Sequence, residues 1–377
     1  MKEIKEEDVI GFDALYKSMC KCRNGVIWKD SVASYVLRGI EKTDNLSRQL
    51  KDGSYTPKPP VHFKITHPKP RDIASVAFRD RVYQRSLNDN IVYPLMTHSF
   101  IYDNYACQKG KGTDKARARL KEFLQKYYRK HGRDGWVLQI DIHGYYPNMK
   151  HEYIEGLFRK KLPGWAFERV REILGNQYPG DTGYDPGSQL VQIAGISALD
   201  EFDHYCKERL HIRYYIRYMD DIQIIHQDRE FLAECLEKIR EKMTGYGFEF
   251  NPDKTGIFRI KKGIRFLGFD YWLTDSGKVI MTIDPKRVKA QRKKLYRLVK
   301  RSKAGLIPKE NVDMSYAAWR NHAGKGNTWK LLQRMDRYYN QLWEGEPNGN
   351  QKENDGAVRP GNAGKRGSTG GDKQGEY

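Results

Sequence analysis

The sequence is short of acid, short of cysteine and without any long apolar run. Against 68 lysines and arginines stand 48 aspartates and glutamates, a formal net charge of +20 over 377 residues. A run of about 18 apolar residues, the minimum for a membrane-spanning helix, is absent. The opening MKEIKEEDVIGF lacks the apolar core of a signal peptide. Five cysteines, an odd number in so long a chain, read as reduced thiols of a cytoplasmic protein rather than a disulfide framework. Cys20 and Cys22 form one C-x-C with no second pair, less than a zinc site asks for. Beyond Gly345 one aliphatic side chain larger than alanine remains, Val358, so 344–377 is expected to be a disordered tail.

What is present is basic and aromatic. The 38% hydrophobic and 12% aromatic content is enough for a core shared by two or three subdomains. The positive excess points to a polyanion, and it is clustered rather than dispersed. KEFLQKYYRKHGR (121–133) interleaves cations with rings, and KRVKAQRKKLYRLVKRSK (286–303) is a longer basic stretch. In the second, Val288, Leu295, Leu298 and Val299 fall on one helix face while lysine and arginine cover the rest. A membrane surface would also accept such a helix, but no lipidation signal accompanies it, and nucleic acid is the expected partner.

Periodicity and punctuation predict helices over most of 1–50, then proline-rich strands and loops over 51–72. Helices are expected at 78–96, 113–130, 150–175, 189–209, 229–245, 284–302 and about 312–342. VLQIDI (137–142) reads as a short strand, and IRFLGFDYWL (264–273) as a strand pair.

One stretch conflicts with its own composition. RYYIRYMDDIQII (213–225) has the residues of a buried strand, yet Asp220 and Asp221 sit side by side in it. Alternation puts Tyr214, Ile216 and Tyr218 on one face and Arg213, Tyr215, Arg217 and Met219 on the other. Met219–Asp221 then form the tight turn of a hairpin. Aspartate is at home in a solvated turn. The same turn, between two apolar strands, also holds carboxylates rigidly at a sheet edge, where a divalent cation such as Mg²⁺ would relieve their repulsion. Asp141, closing the strand at 137–142, is a third isolated carboxylate. If the two elements are neighbours, Asp141, Asp220 and Asp221 can surround two ions about 3.5–4 Å apart, the arrangement that activates a hydroxyl and stabilises a leaving pyrophosphate.

Tyr218-Met219-Asp220-Asp221 resembles the YxDD box of reverse transcriptases, in its YMDD form. The resemblance spans about 50–275, with motifs in the family's order. TPKPPVHFKITHPKPRDIASVAFRDRVYQRSLNDNI resembles the fingers segment, and FIYDNYACQKGKGTDKARARL the segment that follows it in bacterial and intron-type enzymes, with Gln108 where arginine is commoner. PGSQLVQ falls at the loop bordering the nucleotide pocket, GFEFNPDKTGIF at the motif that carries a lysine, and FLGF (266–269) at the primer grip.

The resemblance implies an α+β right-hand polymerase fold, with an antiparallel palm sheet flanked by helices. Its expected parts are an N-terminal helical segment (1–50), fingers and palm (51–275), and a basic helical thumb (276–343). It implies that Asp141 and Asp220 bind two Mg²⁺ ions, with Mn²⁺ a possible substitute, and that Asp221 supports them. By the same carry-over Tyr146 excludes a ribose 2′-hydroxyl, Lys69 and Arg71 grip the triphosphate, and Gln192 lines the nucleotide pocket. Lys254 either neutralises phosphate or donates a proton. Expected partners are dNTPs, an RNA template or noncoding RNA, and the cDNA product.

Gly187–Gln192 aligns best with the G-x-x-x-S-Q loop of diversity-generating retroelements, with Val191 in place of the serine and Pro186 in place of an aliphatic residue. Such enzymes use a small basic accessory protein. Reverse transcriptases of anti-phage defence, which work with a noncoding RNA and in some cases prime on protein or need no template, remain open, as does a maturase-like RNA-binding factor. No HNH-type Cys/His cluster follows the thumb segment, and there is no room for a substantial RNase H domain.

Overall fold

The computed structural model describes residues 4–65, 70–185 and 187–345 and, of Arg71, the backbone alone. Lys69, Pro186 and the expected tail beyond Gly345 lie outside the described residues. The chain divides into two units, Met1–Ala118 with Leu138–Ile257, and Arg119–Val137 with Phe258–Tyr377.

The chain begins with α1 (Glu7–Ile10), α2 (Phe12–Cys22), α3 (Asp30–Leu37) and α4 (Gly39–Lys51). α1 is a single turn, and its terminal carbonyls need partners. Two buried hydroxyls supply them: Ser86 donates to Val9 O at 2.6 Å and Ser47 to Ile10 O at 2.7 Å. The hairpin β1 (Val61–Ile65) and β2 (Arg71–Ser75) precedes α5 (Phe78–Leu87). Asp80, fully buried on α5, fastens the chain that leads into this hairpin. It accepts from the Tyr55 hydroxyl at 3.0 Å and the Lys58 amide at 2.9 Å, and Arg79 lies beside it at 3.1 Å.

The helix expected to run through 78–96 is interrupted by a π-helical turn, Asn88–Val92, before α6 (Tyr93–Thr97). Pro94 lies in the first turn of α6 and has no N–H for a regular bond four residues back, so a wider turn absorbs the mismatch. α7 (Thr113–His131) and β3 (Trp136–Asp141) follow, then α8 (His151–Lys161) and α9 (Gly164–Gln177). These last two replace one expected helix, because Pro163 ends the first. α10 (Gln189–Ser197) and α11 (Asp200–His204) likewise replace one, with a second π turn at Tyr205–Arg209.

β4 (Tyr214–Tyr218) and β5 (Asp221–His226) form the expected hairpin, in the register Tyr214↔Ile225 to Tyr218↔Asp221. α12 (Arg229–Gly245) is capped by Asp228, which accepts from Glu230 N at 2.9 Å, and β6 (Gly256–Arg259) follows. The central sheet has the order β4-β5-β3-β6. Both faces of β4 are covered: Tyr214, Tyr215, Ile216 and Arg217 are all buried. A continuously apolar strand is what such two-sided cover requires.

The second unit holds the antiparallel sheet β7 (Ile264–Phe266), β8 (Phe269–Leu273) and β9 (Val279–Thr282), one strand more than the expected pair. At Gly135 a Cβ would lie 1.9 Å from the Tyr127 hydroxyl, which donates to Asp134 O at 2.6 Å, so only glycine permits this approach. α13 (Pro285–Lys303), α14 (Lys309–Ala323) and α15 (Trp329–Glu344) form a bundle. Leu295 and Val299 of α13 enter its core with Val312, Tyr316, Met335, Tyr339 and Leu342, and Val288 and Leu298 pack at the rim. The single helix expected over 312–342 breaks at Gly324-Lys325-Gly326, where the Thr328 hydroxyl turns back to Ala323 O. No described helix is long and apolar enough to cross a membrane, and all five cysteines are free thiols.

Removing the Asp80 carboxylate would leave a buried hydroxyl and amide unpaired and Arg79 without its counter-charge. Asp80→Ala should lower unfolding stability by about 3 kcal/mol, and Asp80→Asn by less, measured by chemical denaturation followed by circular dichroism.

Candidate active site

Of the three aspartates singled out in the sequence, Asp141 and Asp221 belong to adjacent strands of the central sheet and Asp220 to the turn before β5, all within the first unit. Asp141 ends β3, whose Leu138 and Ile140 are fully buried and fix the strand. Beyond it the chain pairs with 249–255. Ile142 bridges Phe250, Asn251 N donates to Asp141 O at 2.8 Å, and Asp141 N donates to Thr255 Oγ1 at 3.2 Å. This clasp brings Lys254 back over the strand end, where its Nζ lies 2.7 Å from Asp141 Oδ2. The pair is partly open to solvent, with side chains 51% and 27% exposed. Lys254 and Asp141, 113 residues apart, are thereby partners.

Asp220 and Asp221 sit at the β4–β5 turn, with Met219 and Asp220 as its two-residue loop. Met219 takes φ 57°, a left-handed conformation uncommon for a long side chain, and matches the positive-φ position that such tight hairpins need. Asp221 keeps some surface, but its carboxyl is closely surrounded. Burial pushes that carboxyl up to about 7. The Asp220 and Asp141 charges add to the rise, and a 2.8 Å hydrogen bond from Gln223 and the Lys254 charge oppose it. Gln223 is fully buried and was not singled out in the sequence, although period-2 alternation puts it on the face of Asp221.

Tyr145 and Tyr146 follow the Gly144 turn and seat on α10. The Tyr145 hydroxyl donates to Gly195 O, and a Cβ at Gly195 would lie 2.7 Å from the Tyr146 hydroxyl. That hydroxyl also points at Met219 Sδ, 3.7 Å away, so the ring touches the aspartate turn. Gln192 lies one helical turn before Gly195 and is exposed, while Ser188 caps the helix through a 3.1 Å bond from Leu190 N. Lys69 and the Arg71 side chain, the expected triphosphate cations, lie outside the described residues.

Sequence reasoning also missed the support beneath the turn. Arg217, counted there merely as one side chain of an alternating strand, has no exposed surface, and neither has its partner Asp203 on α11. Burial alone would lower the Arg217 pKa, but the Asp203 charge and its hydrogen bonds more than offset this and the net shift is upward. An arginine among isoleucines and tyrosines was the signal available.

The donor set suits a hard cation. Asp141, Asp220 and Asp221 offer carboxylate oxygens only, and the charges of the first two already raise the third. Among the described residues no three acidic, histidine or cysteine side chains are yet gathered at metal-ligand spacing. The Lys254 ammonium holds Asp141, supplying the positive charge a cation would bring.

The raised Asp221 carboxyl has a consequence for stability. Its folded value of about 7 exceeds the ordinary value of about 3.9, so the folded state holds the proton more tightly. The resulting stabilisation is complete in acid and lost as pH rises through about 7. Thermal melts from pH 5 to pH 8 should show this decline, and Asp221→Asn should flatten it. Added Mg²⁺ should raise the wild-type melting temperature more at pH 8 than at pH 5.

No curated protein matches the chain by sequence. Among solved structures it is similar to telomerase from Candida albicans in complex with a TWJ fragment of telomeric RNA, at 12% identity and a TM-score of 0.44, covering 69% of this chain and 55% of that one. Apo telomerase from Candida tropicalis, truncated from its C-terminal domain, is similar at 12% identity and a TM-score of 0.43, covering 63% and 58%. The chain thus spans less than two thirds of either. A family model described as reverse transcriptase (RNA-dependent DNA polymerase) matches residues 56–271, more than half of the chain and a range that includes all three aspartates. With its helix-flanked antiparallel hairpin and carboxylates at the turn, this chain has the right-hand polymerase fold and belongs to the reverse transcriptase family.

Proposed function

We propose that this chain copies RNA into DNA by nucleotidyl transfer, with Asp141, Asp220 and Asp221 as its catalytic carboxylates. The observation that carries the reading is the meeting of β3 and the β4–β5 turn, which gives three acidic side chains one neighbourhood in a chain of net charge +20. The Asp220 and Asp141 charges add to the burial that raises the Asp221 carboxyl, a repulsion that a bound cation would relieve.

Asp141 and Asp220 would hold two Mg²⁺ ions and Asp221 would support them. Bound there, the ions would supply activation of the primer hydroxyl and neutralisation of the leaving pyrophosphate. The protein's own part is positioning. Tyr146 presents its ring edge between α10 and Met219, and so acts as the wall against a ribose 2′-hydroxyl. Gln192, exposed on the same helix, lines the nucleotide pocket. Lys254, partnered with Asp141 at the strand end, is the cation that would meet phosphate there. Lys69 and Arg71 complete the triphosphate grip.

In this reading 51–275 are fingers and palm, and 276–343 a thumb whose α13 presents its cations to the nucleic acid backbone. Phosphate contacts of that kind weaken steeply with salt and carry no base preference. The Gly187–Gln192 loop supports a diversity-generating retroelement as the setting, with its template RNA and a small basic accessory protein.

Extension of a labelled DNA primer on an RNA template, with Mg²⁺ and four dNTPs, tests the reading. Wild type should give template-matched product and Asp220→Asn should give none while folding and binding RNA as wild type does. Loss of folding in Asp220→Asn would return the turn to a structural role. Tyr146→Ala should raise ribonucleotide incorporation by roughly tenfold or more. Unchanged sugar selection removes Tyr146 from the gate.

A further inference from the structure

The β4–β5 turn has a geometric weakness. Its first loop residue is Met219 at φ 57°, and no glycine relieves the conformation. Asp220 follows directly, so the orientation of the Met219–Asp220 peptide decides where its carboxylate points. Something outside the turn must hold that peptide.

Arg217 is placed to do so. Its guanidinium grips Asp203 with both ends of the fork, Nε to Oδ1 at 2.7 Å and Nη2 to Oδ2 at 2.6 Å. Nη2 also donates to Ile196 O at 3.0 Å, and Nη1 donates to Met219 O at 3.1 Å. The Tyr215 hydroxyl, two residues earlier on the same strand, donates to Asp203 Oδ1. Backbone bonds anchor the other side, with Arg217 N donating to Asp103 O and Tyr105 N donating to Arg217 O, both at 3.0 Å. The guanidinium thus links α10, α11 and the carbonyl of the catalytic loop. The Tyr146 hydroxyl lies 3.7 Å from Met219 Sδ.

Stability alone does not explain such a device. Apolar side chains of the same volume generally serve a buried position as well as an ion pair does, without the desolvation. What they lack is a donor aimed at a carbonyl. Lysine lacks it too, since its three donors radiate from one nitrogen and do not reach the Asp203 oxygens and the Met219 and Ile196 carbonyls together.

We propose that Arg217 is a positioning residue: anchored on Asp203, it holds the Met219 carbonyl and thereby sets the Asp220 and Asp221 carboxylates in the geometry that a pair of divalent cations requires. The inference rests on the reading of this turn as catalytic.

The test uses the full-length chain with Arg217→Lys, the double variant Arg217→Met/Asp203→Leu, and Asp220→Asn as control. Mn²⁺ binding is followed by electron paramagnetic resonance, folding by thermal melts, and primer extension by titration with Mg²⁺. The double variant removes both charges at once and should fold, at a melting temperature lowered by the unpaired Tyr215 hydroxyl. Its Mn²⁺ dissociation constant and the Mg²⁺ needed for half-maximal extension should each rise about tenfold, a loss of about 1.4 kcal/mol in cation affinity. Arg217→Lys should shift both in the same direction by less. A folded double variant with wild-type Mn²⁺ affinity and Mg²⁺ requirement overturns the proposal. If the double variant does not fold, the same two readouts on Arg217→Lys decide. Unfolding of both overturns it as well, because the pair is then a requirement of the sheet rather than of the turn. Wild-type Mn²⁺ binding and extension in Asp220→Asn would instead show that the catalytic reading has failed.

Discussion

Repulsion among carboxylates drawn together in a partly dehydrated place is the constraint around which the first unit is built. Two charges a few ångströms apart repel far more strongly there than in water, and each also loses hydration. Left to itself, a flexible loop would swing its aspartates apart and into solvent. The chain prevents this by putting Asp221 at the first position of a strand and Asp141 at the last position of its neighbour. Both are then fixed by ladders whose apolar side chains are buried, and neither can retreat without unpairing backbone. Protonation of Asp221 and the reach of Lys254 are what remains to lower the electrostatic cost.

Two aspartates of the same unit show how environment divides one chemistry into two roles. Asp203 is wholly enclosed, yet it accepts three hydrogen bonds, two of them from a guanidinium. Its charge is matched by the guanidinium and it has no exposed surface. Asp221 accepts a bond from Gln223 and faces two other carboxylates, with the Lys254 charge opposing them only in part. The first is a fastening and the second a site under tension. Burial is common to both, so burial does not identify the functional group. The balance of partners does.

Much of this was legible in the residues. Hydrophobic alternation interrupted by Asp220-Asp221, with Asp141 ending a second apolar run, was enough to expect a shared carboxylate site, because strands leave side chains few directions. The basic helix of 286–303 was equally plain from its four apolar positions, which do pack into the bundle. What escaped depends on tertiary context. Helices were read too long where one proline or a Gly-x-Gly sits inside a good helical pattern, as at Pro163 and Gly324, since local propensity adds up over a window while a break is decided by one residue; at Pro94 the helix expected over 78–96 continues, with a π turn inside it. The Arg217–Asp203 pair joins positions 14 residues apart on different elements, and no periodicity relates them. The seat of Tyr146 on Gly195, 49 positions away, was invisible for the same reason, because the contact consists of a missing side chain.

Met219 joins these observations. A glycine in its place would adopt the left-handed turn without strain, so a methionine there needs a compensating reason. Its side chain meets the Tyr146 hydroxyl and its carbonyl meets Arg217, contacts of which glycine could provide only the second. The residue between the two strands therefore couples the ring proposed to read the sugar to the carboxylates proposed to hold the metal. A displacement at either end is transmitted through one residue, because neither the buried guanidinium nor the helix behind the ring can yield independently. Sugar selection and metal placement are in this arrangement two readings of a single local geometry.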